Sequence, residues 1–216
     1  MEILAHRANV CGPDRLAENT PGSVRAALAN GWGLELDVRR TAAGVFYFSH
    51  DRRASADAAQ ADEICAAIAR YPAATVAMNI KETGYERELL AYLAHHGILA
   101  QSVLFDMELV EAVPGQTAAL FRQLDPTVRI AARVSDRKEP VRRALAIDAA
   151  SVIWLDELDI MWATEEDVQA LRAGGRSIYA VAPDLHGAVF ARTRDRCLEF
   201  ARWGVTGICT DRKSVV

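Results

Sequence analysis

Short apolar runs alternate with amphipathic stretches along the whole chain. Eight of these runs are rich in aliphatic and β-branched residues, a pattern that is typical of buried strands. They cover residues 3–5, 33–38, 75–81, 102–106, 128–134, 151–155, 177–181 and 207–210. A further run at residues 44–49 follows the second strand closely and predicts a short, hairpin-like strand.

Helical patterns occupy much of the sequence between these strands. Residues 21–30 follow an Asn-Thr pair suited to capping, begin with a proline and end at Gly31. Residues 164–173 begin Thr-Glu-Glu-Asp, and the helix dipole favours acidic side chains in this first turn. Further helices are predicted at residues 54–69, 85–96 and 194–203.

Strands that alternate with helices predict an α/β fold with a parallel sheet. Because the composition does not change along the chain, we assign residues 1–216 to one domain. Eight strands match a single (β/α)8 TIM barrel, for which 216 residues is a short length. An open, doubly wound sheet is the alternative architecture for this pattern.

Composition and charge narrow the functional classes. The chain is 51% hydrophobic and carries a net charge of −4, without a lysine or arginine block, so we expect no nucleic-acid partner. No apolar run approaches the ~20 residues of a membrane span and no signal peptide precedes the first strand, so we expect no stable membrane insertion and a cytoplasmic location. The four cysteines have no CxxC spacing and are predicted to be free thiols. Nothing in the pattern predicts an oligomeric state.

Two acidic residues on the second predicted strand are candidate metal ligands. Glu35 and Asp37 are two positions apart and share one face of the strand, whereas Leu34, Leu36 and Val38 point to the other. Adjacent buried carboxylates repel each other unless a cation or a proton lies between them. The pair indicates a hard divalent cation, Mg²⁺ or Ca²⁺ with Mn²⁺ as a further candidate. A charged, solvated edge strand is the alternative.

Polar residues also follow the other early strands, at the end where a parallel barrel gathers its functional groups. Asn79 offers a carbonyl oxygen to a metal ion, and Lys81, on the same strand face, offers a cation to an anionic substrate. Each motif is weak alone, but their order on successive strands argues against coincidence. The residues are His6, Arg7, His50, Asp51, Asn79 and Lys81.

This ordered set resembles the signature of the glycerophosphodiester phosphodiesterase family, part of the phosphatidylinositol-phospholipase-C-like barrels. The resemblance rests on His6-Arg7, Glu18-Asn19-Thr20, Glu35-x-Asp37, His50-Asp51 and the stretch at residues 204–211. Residues 79–81, 105–107, 154–156 and 183–187 are similar to a less characterised bacterial branch of these proteins.

The resemblance implies a (β/α)8 barrel that cleaves a small, anionic phosphodiester with the help of one divalent cation. In such a reaction one imidazole deprotonates the attacking hydroxyl and the other protonates the leaving oxygen. The implied roles are general acid/base for His6 and His50, phosphate contact for Arg7 and Lys81, and metal binding for Glu35, Asp37 and Asn79.

Two departures from the family pattern bear on function. Asn79 occupies the position, two residues before the lysine, where the family has a third acidic ligand. A neutral amide should hold a divalent cation less tightly than a carboxylate. Only residues 52–74 separate Asp51 from the third predicted strand, too few for the inserted cap of the family. We therefore expect a compact barrel with a more open mouth.

Polar residues near the ends of later strands are further candidates. Asp156 and His186 are predicted to contact substrate, and Arg133 is a candidate for the phosphate pocket. The leading interpretation is divalent-metal-dependent hydrolysis of a glycerophosphodiester-like substrate. A catalytically impaired barrel that binds phosphodiesters or phosphosugars without turnover is one alternative. A metal-dependent lyase is another, although only two acidic ligands are visible for it.

Overall fold

The computed structural model describes residues 1–53, 55–212 and 214. Nine strands occur in the described residues, each within a few positions of a predicted one. They are β1 (Glu2–His6), β2 (Gly33–Arg40), β3 (Phe46–Phe48), β4 (Val76–Ile80), β5 (Ser102–Phe105), β6 (Arg129–Ser135), β7 (Val152–Asp156), β8 (Ser177–Val181) and β9 (Gly207–Thr210).

Eight of these strands form a closed parallel barrel. Each strand pairs with its neighbour in the order β1, β2, β4, β5, β6, β7, β8 and β9, and β1 also pairs with β9. The remaining strand, β3, pairs antiparallel with the end of β2 and extends the rim. Because β1 closes the sheet, the predicted (β/α)8 barrel is confirmed and the open doubly wound sheet was wrong.

Helices pack around the outside of the barrel. Seven α-helices lie in the described part of the chain: α1 (Pro21–Ala29), α2 (Ala58–Ala69), α3 (Glu86–His95), α4 (Gln116–Leu124), α5 (Val141–Leu145), α6 (Glu165–Arg172) and α7 (Phe190–Arg202). The capping boxes at Thr20 and Thr164 start α1 and α6, as the sequence indicates. Of the predicted helix at residues 54–69, residue 54 lies outside the described residues.

Two helices have no counterpart among the predicted ones. Helix α5 has only five residues, too few for a clear helical pattern. Helix α4 lacks a capping side chain at its own N-cap, Gly115. Instead the Glu111 carboxylate, four residues upstream of Gly115, accepts hydrogen bonds from the amides of Gly115 at 2.5 Å and Thr117 at 2.7 Å. A loop residue thus performs the capping, which hides the helix start from the sequence pattern.

The strands separate two apolar layers. One layer lies between the barrel and the helices and includes Leu34, Leu36 and Val38. The other fills the barrel interior, with Leu4, Ala77, Val103, Phe105, Ala131, Val152, Trp154, Tyr179, Val181 and Cys209. This interior filling closes the lower part of the barrel and leaves polar side chains at the carboxyl ends of the strands, where functional sites of such barrels lie.

The mouth of the barrel carries little covering structure near β3. Between β3 and β4, α2 is the only helix or strand in the described residues. This agrees with the expected absence of an inserted cap. No helix of the described residues has the length and apolar character needed to cross a bilayer. All four cysteines are free thiols, with Cys11 exposed and the other three buried.

Candidate active site

A cavity of about 360 Å³ opens at the carboxyl ends of the barrel strands. Aromatic and aliphatic side chains such as Phe105 and Trp154 form its floor. Its polar lining consists of His6, Arg7, Glu35, His50, Asn79, Asp106, Arg133, Asp156 and His186. Seven of the nine residues predicted for the site are therefore brought together around one cavity. The other two, Asp37 and Lys81, form an ion pair beside it.

Strand alternation places the acidic pair of β2 as the sequence predicts. Leu34 and Leu36 pack against the helices, so Glu35 and Asp37 face the barrel interior. Pairing register brings His6 of β1 opposite Glu35, and Asn79 of β4 opposite Asp37. Neighbouring strands thus deliver an imidazole, two carboxylates and an amide to one side of the barrel mouth.

His6 is held by a carboxylate from the opposite end of the chain. Its Nδ1 lies 2.9 Å from Oδ1 of Asp211, just after β9, and its Nε2 lies 3.9 Å from Oε2 of Glu35. Burial alone would lower the pKa of His6, but the Asp211 hydrogen bond and the Glu35 charge together raise it above its ordinary value. The imidazole is therefore oriented by Asp211 and stabilised as a cation.

Two further imidazoles at the cavity also have carboxylate partners. His50 Nδ1 lies 2.9 Å from Oδ1 of the adjacent Asp51, and the two side chains are 42% and 84% exposed. His186 Nε2 lies 2.6 Å from Oδ1 of the buried Asp156. A carboxylate bonded to one ring nitrogen fixes the ring and leaves the other nitrogen for a second contact. The His50 side chain is therefore less enclosed than those of His6 and His186.

Asp37 is enclosed by positively charged and amide groups. Lys81 Nζ lies 2.9 Å from its Oδ1, and Arg7 Nε lies 3.3 Å from its Oδ2. The Asn19 amide donates to Oδ2 at 3.1 Å, and Asp37 is only 1% exposed. Lys81 and these hydrogen bonds hold the pKa of Asp37 below its usual value despite its burial. Lys81 therefore holds Asp37 in the structure, and its predicted contact with substrate phosphate stays a prediction.

Glu35 is a buried carboxylate whose negative charge is only partly compensated by neighbouring positive groups. Burial and the neighbouring Asp37 charge raise its pKa to about 7, opposed by the charges of His6 and Lys81. Its Oε2 accepts the backbone N–H of Arg7 at 3.0 Å. Its Oε1 accepts no hydrogen bond from the described residues. An anionic Glu35 would be stabilised by a further cation in the cavity.

A chain of hydrogen bonds crosses the other side of the mouth. The Asn79 amide donates to Asp106 at 3.1 Å, and Arg133 donates to Asp106 at 2.7 Å and also to Asp156. Asp156 continues the chain to His186. Arg133 is only 7% exposed and is the cation between two buried carboxylates. These contacts orient the NH₂ of Asn79 toward Asp106.

The oxygen donors at this site suit a hard divalent cation. Only two of the three predicted ligands are carboxylates, and the third is an amide. Glu35 and Asn79 both line the cavity, and the Asn79 carbonyl oxygen accepts no hydrogen bond within the described ranges. Asp37 already contacts Lys81 and Arg7. No group of three or more His, Cys, Asp or Glu side chains in the described residues is arranged to hold a metal ion. The predicted set therefore depends on the Asn79 amide.

The sequence pattern does not single out two residues of this site. Asp211 belongs to the family-like last stretch of the sequence, and its position after β9 places it at the same rim as His6. Asp106 follows β5 with a left-handed backbone, φ 66°, which aspartate tolerates better than most residues. A carboxylate directly after a barrel strand was the available signal in both cases.

Glu108, next to this site, is expected to make stability depend on pH. Burial raises the pKa of Glu108 to about 7, and its Oε2 has no partner in the described residues. The folded protein therefore holds a proton that the unfolded chain, with its ordinary carboxyl pKa, releases between about pH 4.5 and 7. The free energy of unfolding should fall as pH rises through this window. Glu108→Gln should be more stable than wild type by about 1–3 kcal/mol at pH 8 and similar to it at pH 5.

Urea unfolding at the two pH values measures this difference. Glu88→Gln, on the exposed surface of α3, is the matched control and should show no pH-dependent gain. Equal effects of Glu108→Gln at pH 5 and pH 8 would contradict the assignment of a buried, protonated Glu108.

Several solved structures share this barrel architecture. A provisionally assigned glycerophosphodiester phosphodiesterase from Galdieria sulphuraria has a TM-score of 0.73 and 17% identity, over 97% of this chain and 93% of that chain. A glycerophosphodiester phosphodiesterase from Parabacteroides distasonis has a TM-score of 0.71 and 13% identity, over 97% and 92%. The fold is that of these enzymes.

A third solved structure contains a bound product. It is an Oleispira antarctica phosphodiesterase in complex with sn-glycerol-3-phosphate, with a TM-score of 0.66 and 16% identity, over 98% of this chain and 93% of that chain. Neither a protein-family model nor a curated protein matches the sequence. At these identities the likeness establishes the (β/α)8 fold.

Proposed function

We propose that this chain cleaves a small, anionic phosphodiester of the glycerophosphodiester type, with His6 and His50 as the general acid/base pair. The observation that carries the proposal is the Asp211–His6 pair, which faces Arg7, Glu35 and His50 in one cavity at the barrel mouth. The phosphodiesterase from Oleispira antarctica, which shares the fold, holds a phosphate monoester product.

The side chains are suited to each step of this reaction. His50 would take the proton of the attacking hydroxyl, from the substrate or from water, as its oxygen forms the new bond to phosphorus. His6, stabilised as a cation, would give its proton to the leaving oxygen as the old P–O bond breaks. An attacking substrate hydroxyl would yield a cyclic phosphate first. Arg7 would donate charge-assisted hydrogen bonds to the phosphoryl oxygens, where negative charge increases in the transition state.

We also propose that one divalent cation, Mg²⁺, Ca²⁺ or Mn²⁺, binds at this site. Glu35 and Asn79 would hold it from the cavity side, and Asp37 would complete the set. When bound, such an ion supplies Lewis-acid stabilisation of phosphoryl oxygens. The partly compensated charge of Glu35 and the free carbonyl oxygen of Asn79 support this assignment.

Removal of divalent cations is expected to abolish most of the activity. Exhaustive treatment with EDTA should lower kcat/KM by about 100-fold or more, and added Mg²⁺, Ca²⁺ or Mn²⁺ should restore it. The same ions should raise the thermal midpoint of the wild type but not of Glu35→Gln, which lacks the anionic ligand. An EDTA-treated enzyme with full activity, and an unchanged midpoint on adding each ion, would contradict the metal proposal.

A barrel that binds diesters without cleaving them is the second candidate. It is favoured by Asn79, which stands at a predicted ligand position and donates its amide to Asp106, and by the Lys81 contact that already neutralises Asp37. Calorimetry and product analysis on the same panel separate the two candidates. The panel would contain glycerophosphodiesters, lysophospholipids and sugar-phosphate diesters. Binding with no product from any of them would favour the second candidate.

A further inference from the structure

A second open cavity, of about 490 Å³, lies on the flank of the barrel beside β3. None of its lining residues belongs to the candidate active site. We call it the arginine pocket, and its lining is Arg40, Thr41, Ala42, Tyr47, Arg52, Arg53, Glu82, Thr83 and Tyr85. Three guanidinium groups against a single carboxylate give this pocket an excess of positive charge.

The carboxylates of the described residues neutralise only part of the positive charge of the arginine pocket. Glu82 contacts Arg52 at 3.3 Å and is also bound by Arg39 at 2.5 Å. Arg40 forms no ion pair and its guanidinium donates no hydrogen bond within the described ranges, and its Nε is buried without a partner. Among the described residues, the side chain of Arg53 donates one hydrogen bond, from Nε to Ser49 Oγ at 3.2 Å. The buried Nε of Arg40 therefore lacks an acceptor among the described residues, and the remaining donors of the exposed Arg53 are free to bind a ligand.

The Arg40 guanidinium is held in place by aromatic rings. Its Cζ lies 6.0 Å from the centroid of Phe46 and 5.9 Å from that of Tyr85. These two rings contact each other edge to face at 5.6 Å. A guanidinium positioned by packing loses little freedom when it binds a ligand. Arg40 is therefore a fixed donor, whereas the exposed Arg52 and Arg53 can close on a ligand from the solvent side.

We propose that the arginine pocket binds the dianionic phosphoryl group of a phosphate monoester. Planar guanidinium forks match phosphate oxygens in pairs, and several of them favour a dianion over a monoanion. The cavity is larger than a phosphoryl group, and Tyr47 and Tyr85 supply walls for the attached polyol or sugar. The occupant is thus a phosphorylated small molecule.

Hydrogen bonds connect residues in and beside the arginine pocket to the segment that carries His50 of the candidate active site. Arg39 Nε donates to the backbone oxygens of Ser49 at 3.2 Å and His50 at 3.0 Å. Arg53 reaches the side chain of Ser49, and both Arg52 and Arg53 follow His50 within three residues. A ligand that draws these arginines together would act on the segment that carries His50. The occupant can therefore be the far arm of a diester substrate or a separate phosphate monoester.

Calorimetric titration with inorganic phosphate tests the pocket independently of any enzymatic activity. We compare the wild type, Arg40→Gln/Arg53→Gln and the control Arg202→Gln, which removes a charge from the exposed end of α7. The wild type and the control should bind phosphate at the pocket, and the double variant should lose that step or bind at least about tenfold more weakly. Arg53→Gln alone, at an exposed position, should weaken the same step if the double variant does not fold.

Folded variants that bind the same number of phosphate ions as the wild type, with the same affinity, would overturn the proposal. A second measurement identifies the source of the phosphoryl group and rests on the proposed diesterase function. It compares KM for a diester whose leaving arm carries a phosphate monoester with KM for the same diester without it. A change in this ratio in Arg53→Gln assigns the pocket to the substrate arm, and an unchanged ratio with lost phosphate binding assigns it to a separate ligand.

Discussion

His6→Ala is expected to lower kcat/KM for phosphodiester cleavage by about 10²–10⁴-fold. The variant removes the imidazole that Asp211 orients and that faces Glu35 in the cavity. Without this imidazole, the leaving oxygen would depart as an alkoxide or would have to take its proton from water. The measurement is a steady-state assay on the diester that the wild type cleaves fastest, with each protein purified in parallel.

The control for this variant is His95→Ala. His95 lies on the exposed surface of α3, far from the barrel mouth, so its removal should leave kcat/KM within a factor of about two. Asp211→Asn should give an intermediate loss and shift the pH profile, because the carboxylate that raises the pKa of His6 is then absent. Unchanged kcat/KM in His6→Ala would remove His6 from the mechanism.

Arg133→Met is expected to lower the free energy of unfolding by about 3–5 kcal/mol at pH 7. Arg133 is the buried cation between Asp106 and Asp156, and methionine fills a similar space without the charge. Two buried carboxylates would then face each other without compensation. Burial already raises the pKa of Asp106, so the loss should be smaller at pH 5, where protonation relieves the repulsion.

A surface ion pair supplies the matched control. Arg137→Met removes the partner of Asp159, at 2.8 Å in a largely exposed pair, and should leave the free energy of unfolding nearly unchanged. Asp106→Asn in the Arg133→Met background should recover part of the stability, because it removes one of the uncompensated charges. Equal losses of unfolding free energy for Arg133→Met and Arg137→Met in urea unfolding would show that the buried ion pairs of Arg133 contribute no more stability than a surface pair.

Much of the fold could be predicted from local patterns. Every barrel strand was found within about two residues, because apolar runs bounded by polar turns are a local signal. The inward orientation of Glu35 followed from period-two alternation alone. Helix starts were clear where a side chain caps its own helix, as at Thr20. They were missed where the cap comes from a loop, as at Glu111 for α4.

The partners of the site residues could not be predicted in the same way. Asp211 and His6 are 205 positions apart, and only barrel closure brings them together. The contact between Lys81 and Asp37 depends on the register of β2 against β4, which no local pattern determines. Most polar residues at the rim were therefore predictable, with Asp106 and Asp211 as exceptions, whereas the choice of which charge neutralises which was not.

The role of His6 in phosphodiester cleavage is tested most directly by ³¹P NMR. A phosphodiester panel is incubated with the wild type and with His6→Ala, in the presence of Mg²⁺, Ca²⁺ or Mn²⁺. With the wild type, at least one diester resonance should be replaced by a phosphate monoester or cyclic phosphate resonance, and the same diester resonance should persist with His6→Ala. Persistence of every diester with the wild type, or equal conversion by both proteins, would contradict the central claim that His6 acts in phosphodiester cleavage at the barrel mouth.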